Sequence, residues 1–123
     1  MKVISIYQAP GGKALDAPWR TDPKYVYIGR PGKGLAGPYG NPHPVGFPCA
    51  RCRGLDGKLL VHKRGEAIVA FEETLKKWDR DLLKKKLSKL FDAEFLVCFC
   101  APQACHGDVL VRWINMFKKE EMN

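Results

Sequence analysis

Apolar residues along the chain fall into short runs separated by polar stretches rich in glycine and proline. Residues 3–7 form a β-branched and aromatic run that predicts a first strand. Residues 24–30 predict a second strand, after a loop punctuated by proline and glycine. Residues 30–61 show no clear period, and a connection of that length is usually functional, cross-linked or disordered.

The second half of the chain has stronger periodicity. Apolar positions recur at helical spacing in residues 64–78, in a segment that follows Asp79 or Asp81, and in the last segment. Residues 93–100 are apolar on both alternating faces, which is typical of a strand buried inside a sheet. The predicted inward-facing positions of the three helices are Ile68, Phe71, Leu75 and Trp78, then Leu83, Leu87 and Leu90, then Leu110, Trp113, Ile114 and Phe117.

The order strand, strand, long loop, helix, helix, strand, helix indicates an α/β fold. A length of 123 residues suits one domain, so we expect residues 1–123 to form a single unit. We predict a small Rossmann-like domain with a short, mostly parallel sheet and helices packed on it.

The chain carries a formal net charge of +8. Much of the excess lies between Lys76 and Lys89, which indicates either a phosphate-facing patch for nucleic acid or a solvated helix face. No apolar run approaches the roughly 20 residues that span a bilayer, so no membrane partner is expected. The first residues lack a signal-peptide pattern, and five cysteines without export predict thiols or metal ligands in the cytoplasm.

Three of those cysteines lie in the segment CFCAPQACHGDVL, residues 98–110. The pattern places a strand end at Cys98 and Cys100, a turn at Pro102, and a helix start at residues 105–108. A helix start presents unpaired N–H groups and a partial positive charge, which favour an anion and also a thiolate. Cys105, with His106 beside it, is therefore a candidate nucleophile or redox thiol.

Structural roles remain open for the same residues. Cys98 and Cys100 can be buried small apolar side chains, and His106 can be a hydrogen-bonded core histidine. Asp108 can cap the helix, orient His106 or bind a ribose hydroxyl, and Arg112 is four residues beyond it. The candidate catalytic residues are Cys105, His106 and Asp108.

Cys49-x-x-Cys52 has the spacing of one half of a zinc site. The segment 98–106 offers the other half if the long loop folds over the last strand. We predict Cys49, Cys52, Cys100 and Cys105 as a possible zinc set, with a pair of unligated thiols as the alternative.

Glycine and arginine end the second strand, and a sharp turn follows in the long loop. Gly29 lets the backbone approach a ligand closely, and Arg30 is a forked donor suited to phosphate. Asn41 follows Gly40 in a Gly-Asn-Pro turn, where it can be purely structural. The glycines match neither a Walker A loop nor a dinucleotide fingerprint.

The segments VYIGRP, GNP, KRGEAIVAFEETLKKW and CFCAPQACHGDVL occur in this order across about residues 25–115. In this they resemble the family called domain of unknown function 4326, seen in bacteria and their phages. The resemblance carries no assigned activity. It implies the signature positions Gly29, Arg30, Gly40, Asn41, Pro42, Cys98, Cys100, Pro102, Cys105, His106, Gly107 and Asp108.

The chain departs from that pattern at a few positions. Phe99 stands where many members have Trp, and His43 stands where many have Phe. The Cys49–Cys52 pair also looks like a departure, which argues against loop cysteines serving the family's general function.

From the placement of these residues we predict a pocket between the Arg30–Asn41 loop and the helix start at Cys105–Asp108. Its ligand would be a phosphorylated small molecule, such as a nucleotide, nucleoside or nucleotide-sugar. Gly29, Arg30, Gly40, Asn41 and Gly107 would bind it. The alternatives are a zinc-stapled, basic nucleic-acid-binding module and a non-catalytic protein that sequesters a ligand.

Overall fold

The computed structural model describes residues 1–30, 34–35, 37–99 and 105–122. Three strands, β1 (Lys2–Ser5), β2 (Tyr25–Tyr27) and β5 (Phe95–Cys98), form a parallel sheet in the order β1-β5-β2. The helices are α1 (Arg64–Lys76), α2 (Arg80–Ser88) and α3 (His106–Met122), and short 3-10 turns cover Ile6–Gln8 and Pro18–Thr21. The predicted α/β class with a mostly parallel sheet is confirmed.

The central strand β5 is buried on both faces, as its sequence predicts. Leu96 and Cys98 belong to the core packed by the three helices, while Val97 faces the other side and packs with Trp19 and Tyr27. This alternation follows from the two-residue period of a strand. The helix face of the sheet thus carries the larger core, and the loop between β1 and β2 covers the opposite face.

The helices begin and end close to their predicted bounds. Asp79 caps α2, because its side chain accepts hydrogen bonds from the main-chain N–H groups of Asp81 and Leu82. The predicted inward-facing residues are buried, or partly buried at Ile68 and Trp113, with one clear exception. Trp78, which lies two residues beyond the end of α1, is 44% exposed. The prediction that Trp78 faces the core is therefore wrong, since the helical period stops before it.

The long loop contains structure that its sequence does not reveal. Strands β3 (Pro48–Arg53) and β4 (Leu59–Val61) form an antiparallel hairpin, separate from the parallel sheet. The tip closes through the hydrogen bond from Gly54 N–H to Lys58 O (2.9 Å). The long loop predicted over residues 30–61 thus contains a two-stranded unit.

The positive charge of the region Lys76–Lys89, which runs from the end of α1 through α2, is partly neutralised by ion pairs. Lys76 pairs with Glu73 at 3.2 Å, and Lys84 lies 4.0 Å from Glu120. No helix among the described residues is long and apolar enough to cross a membrane. Contact with nucleic acid through Lys76–Lys89 stays a prediction.

Candidate metal centre

Two histidines and two cysteines converge beside the hairpin. His43 precedes β3, Cys49 and Cys52 lie on β3, and His62 immediately follows β4. One ligand atom from each of the four residues lies within 4.8 Å of all the others. The hairpin therefore gathers into one place residues that are up to 19 positions apart in sequence.

An irregularity in the hairpin lets both cysteines face the same side. Residues three apart on a regular strand point to opposite faces of the sheet. The pairing register shifts between Pro48 and Arg53, which is the sign of a bulge, and Cys49 and Cys52 lie inside that interval. Extra residues in β3 thus bring the second thiol back to the side of the first.

The distances within the cluster fit a shared ion. His43 Nδ1 lies 3.4 Å from Cys49 Sγ and 3.5 Å from Cys52 Sγ. Ligands 2.0–2.3 Å from a tetrahedral zinc ion are separated from one another by about 3.3–3.8 Å. Both measured distances fall in that range, so His43 Nδ1 is spaced from each sulfur as two ligands of one tetrahedral ion are.

A hydrogen-bond chain orients His43 for coordination. The Thr74 hydroxyl donates to Ala70 O at 2.9 Å, so its oxygen accepts from His43 Nε2 at 2.8 Å. With its proton on Nε2, the imidazole directs the unprotonated Nδ1 at the two thiols. A metal-binding histidine commonly donates its second ring N–H to such a partner, which fixes the tautomer and the ring plane.

His62 supplies independent support for a metal site. Its Nε2 atom is buried, and no hydrogen-bond partner for it is found in the part of the chain that the structure describes. A buried nitrogen without a partner costs about 1–3 kcal/mol. Coordination of a metal by this nitrogen would remove that cost.

The cluster also forms the interior of its segment. Among residues 43–62, His43, Cys49 and His62 are the buried residues, and Cys52 is half-buried. Large apolar side chains of the hairpin point outward instead: Phe47 is 69% exposed and Leu55 fully exposed. The candidate ligands therefore take the place of a hydrophobic core.

The electrostatic surroundings favour the neutral form of His43, which is the form that binds metals. Burial lowers the pKa of His43, and the charges of His62, Arg51 and Lys77 lower it further. Burial raises the pKa of Cys52, and its contact with Cys49 adds to this. A raised pKa favours the protonated thiol, whereas a bound cation would favour the thiolate form of both cysteines.

The predicted zinc set differs from this cluster. Cys49 and Cys52 belong to it, but Cys105 lies elsewhere, with its sulfur 3.5 Å from Cys98 Sγ in the core under α3. Cys100 is outside the described residues, as is Pro102. The hairpin contacts α1 through Thr74, whereas Cys105, directly before α3, packs into the core under that helix.

The signature segments meet at a second place, at the carboxyl end of β2. The contacts there between the start of α3, residues 28–29 and residues 40–41 are called the junction. His106 is 7% exposed, and its Nε2 donates to Ile28 O at 2.6 Å. A Cβ added to Gly40 would lie 2.9 Å from Gly29 O, so these two backbones are in close contact. Asn41 donates to Ala67 O at 3.0 Å and accepts from His43 N–H at 2.9 Å, which ties the turn to α1 and to the metal cluster.

The remaining predicted site residues surround this junction. Gly107 packs closely against the sheet, while Arg30 and Asp108 are exposed. Asp108 accepts from Cys105 N–H at 3.4 Å, as a helix cap does, and Arg112 pairs with Glu72 rather than with Asp108. The Cys105 sulfur accepts from Gly107 N–H at 3.3 Å. These contacts give the junction a structural role, and its ligand and catalytic roles stay predictions.

His106 is expected to make folding sensitive to mild acid. Burial lowers its pKa, and the charge of Arg30 acts in the same direction, against the opposing effects of main-chain hydrogen bonds and of Asp108. Because the unfolded chain then binds the proton more tightly, stability is complete above about pH 6.5 and falls as the pH decreases through the folded-state pKa. Urea unfolding at pH 7.5 and pH 5.5 should show a smaller loss for His106→Gln than for the original chain. Equal losses would contradict this assignment.

Comparison with known families agrees with the signature segments. The family described as Domain of unknown function (DUF4326) matches residues 13–116. No curated protein and no solved structure matches the chain. The matched region includes both the metal cluster and the junction around His106. Because it covers most of the chain, this protein belongs to the DUF4326 family.

Proposed function

We propose that this domain binds one Zn²⁺ ion through His43, Cys49, Cys52 and His62, and that the ion has a structural role. The observation that carries the proposal is the convergence of four ligand atoms within 4.8 Å, in a segment whose buried residues are these ligands. Two thiolates and two neutral imidazoles are a donor set typical of tetrahedral zinc.

Charge and coordination number support a structural ion. Two thiolates balance the charge of Zn²⁺, so the occupied site is neutral and its burial costs little. Four protein ligands complete a tetrahedron, whereas catalytic zinc keeps one position for water or substrate. The ion would hold the segment 43–62 on α1, because His43 already contacts that helix through Thr74.

The test is the metal content of the purified protein and of single variants. Native mass spectrometry should find one zinc per chain, and Cys52→Ala and His62→Ala should each lose it. Cys105→Ser is the matched control, since it removes a buried thiol outside the cluster and should keep the zinc. Metal-free protein purified with zinc present, or loss of zinc in the Cys105 variant, would contradict the proposal.

A second function, binding of a phosphorylated small molecule, is supported by the convergence of the signature segments. The backbone at Gly29 touches that at Gly40, and the start of α3 is tied to Ile28 by His106. Arg30 is exposed beside them and lies close enough to His106 to influence its pKa. We infer that Arg30 would hold the phosphate, and that Cys105, His106 and Asp108 would act in any attack on a glycosidic or phosphate bond.

This second function predicts that Arg30→Gln weakens the binding of a nucleotide. The probe is AMP, followed by the thermal shift of the protein, and the loss of one charged hydrogen bond should cost about tenfold in affinity. Arg53→Gln, an exposed arginine on the hairpin, is the control and should bind as before. Equal shifts for all three proteins would exclude Arg30 as the phosphate ligand.

A further inference from the structure

A cleft of about 190 Å³ lies beside the segment 38–42. It is bounded by that segment, by Arg51 of β3, and by residues of α1 and α2. Its floor is apolar and is formed by Phe71, Leu75, Leu83, Leu87 and Leu110. For comparison, a dry cavity of about 150 Å³ is enough to bind benzene. The cleft therefore has room for one aromatic ring system.

Two aromatic side chains border the cleft. Trp78 is 44% exposed although it is a large apolar group, and Tyr39 lies on the facing segment. The Tyr39 hydroxyl donates to Lys86 O at 3.3 Å, which fixes that ring against α2. Exposed tryptophan beside an apolar floor is typical of a binding site, because aromatic rings supply large contact areas at little entropic cost.

The rim of the cleft is positively charged, and its two cations contact no carboxylate among the described residues. Lys86 Nζ lies 4.7 Å from the centre of the Trp78 ring and 5.5 Å from that of Tyr39. Within the described ranges, neither Lys86 nor Arg51 makes an ion pair, and no carboxylate is among the residues that line the cleft. An anionic group would therefore gain two cations without displacing an acidic side chain.

We propose that this cleft binds a planar aromatic molecule that carries a phosphate or carboxylate group. The ring would pack on the apolar floor beside Trp78, and the anion would face Lys86 and Arg51. Arg51 lies in sequence between Cys49 and Cys52, two of the proposed zinc ligands. Its position at the cleft therefore depends on the zinc-binding function proposed above. The zinc content of each protein is measured with the binding, which separates failure of the metal site from failure of the cleft.

The experiment titrates the zinc-loaded protein with matched probes and follows tryptophan fluorescence and the Trp78 indole N–H resonance. Phenyl phosphate and indole-3-carboxylate test the two anionic groups, while phenol, indole and inorganic phosphate each lack one half of the proposed ligand. At least one aromatic anion should bind saturably, and at least about tenfold more tightly than its neutral ring or the phosphate alone. Binding of phenyl phosphate identifies phosphate as the anionic group, and binding of indole-3-carboxylate identifies carboxylate.

Variants locate the site. Lys86→Gln and Trp78→Leu should each weaken binding about tenfold or more while keeping the zinc. Because Trp78→Leu removes the reporter group, titration calorimetry measures the affinities of all variants. Lys85→Gln is the matched control, because it removes the adjacent, exposed lysine of α2, which does not line the cleft. No saturable binding by either anion, an equal loss for Lys85→Gln, or a loss confined to Arg30→Gln would overturn the proposal.

Discussion

Replacing Cys49 with alanine is expected to release the metal and to destabilise the protein by about 4 kcal/mol. A ligand held at a thousand times its dissociation constant contributes about that much to the free energy of unfolding. Cys49 is fully buried, and the substitution leaves three candidate ligands, too few for a closed site. Denaturant unfolding in the presence of excess zinc measures the effect.

A chelator provides the control for this substitution. It should lower the stability of the original chain to about that of Cys49→Ala and leave the variant unchanged. An equal response of both proteins would mean that the stabilising metal is bound elsewhere.

Hydrogen exchange locates the part of the protein that loses stability when the metal is removed. The amides of Gly46 and Gly54, which hydrogen-bond within the segment that contains the candidate ligands, should lose protection after chelation. The amide of Ile28, bonded to Val97 O in the parallel sheet, should keep it. This contrast is expected because the hairpin buries the metal ligands, whereas the sheet has its own hydrophobic core.

Gly107→Ala is expected to destabilise the domain by about 1–3 kcal/mol, the usual cost of overpacking a core. An added Cβ would lie 2.8 Å from Ile28 Cδ1 and 2.9 Å from Val3 Cγ1, closer than such atoms approach. The gain in helix propensity from glycine to alanine, at most about 1 kcal/mol, offsets only part of this cost. The glycine is thus required because α3 begins in contact with the sheet.

Gly65→Ala is the matched control, since it makes the same change near the start of α1 where an added Cβ meets nothing within 4 Å. It should be neutral or stabilising by up to about 1 kcal/mol. Thermal and urea unfolding of the two variants, side by side, test the steric explanation. Similar effects of both substitutions would refute it.

Elements with a regular apolar period could be predicted from the sequence. The helices and the strands of the parallel sheet are formed by residues such as Leu83, Leu87 and Leu96, which recur on one face or fill a buried strand. The hairpin could not be predicted in this way, because β3 and β4 lack an alternating apolar pattern and the buried residues of this segment are candidate metal ligands instead.

Half of the metal centre was visible in the sequence, in the short spacing of Cys49 and Cys52. Its other half depends on contacts between distant residues. His43 and His62 are not in a regular spacing with the cysteines, and the one available signal was that His43 stands where many members of the resembling family have Phe. The prediction took Cys100 and Cys105 as the other two ligands because three cysteines are close together in that part of the sequence. Closeness in sequence to other cysteines does not bring a thiol near Cys49 and Cys52 in the fold.

The sequence alone therefore determined the order of the main elements, the α/β class, the family signature and the first two candidate metal ligands. The elements, the class and the two ligands follow from local spacing along the chain, and the signature follows from the resemblance to a known family. Only the tertiary structure decided that His43 and His62 complete the cluster and that Cys105 belongs to the core. The physical reason is that a coordination site requires ligand atoms a few ångströms apart, and here the irregular pairing of β3 with β4 sets those separations.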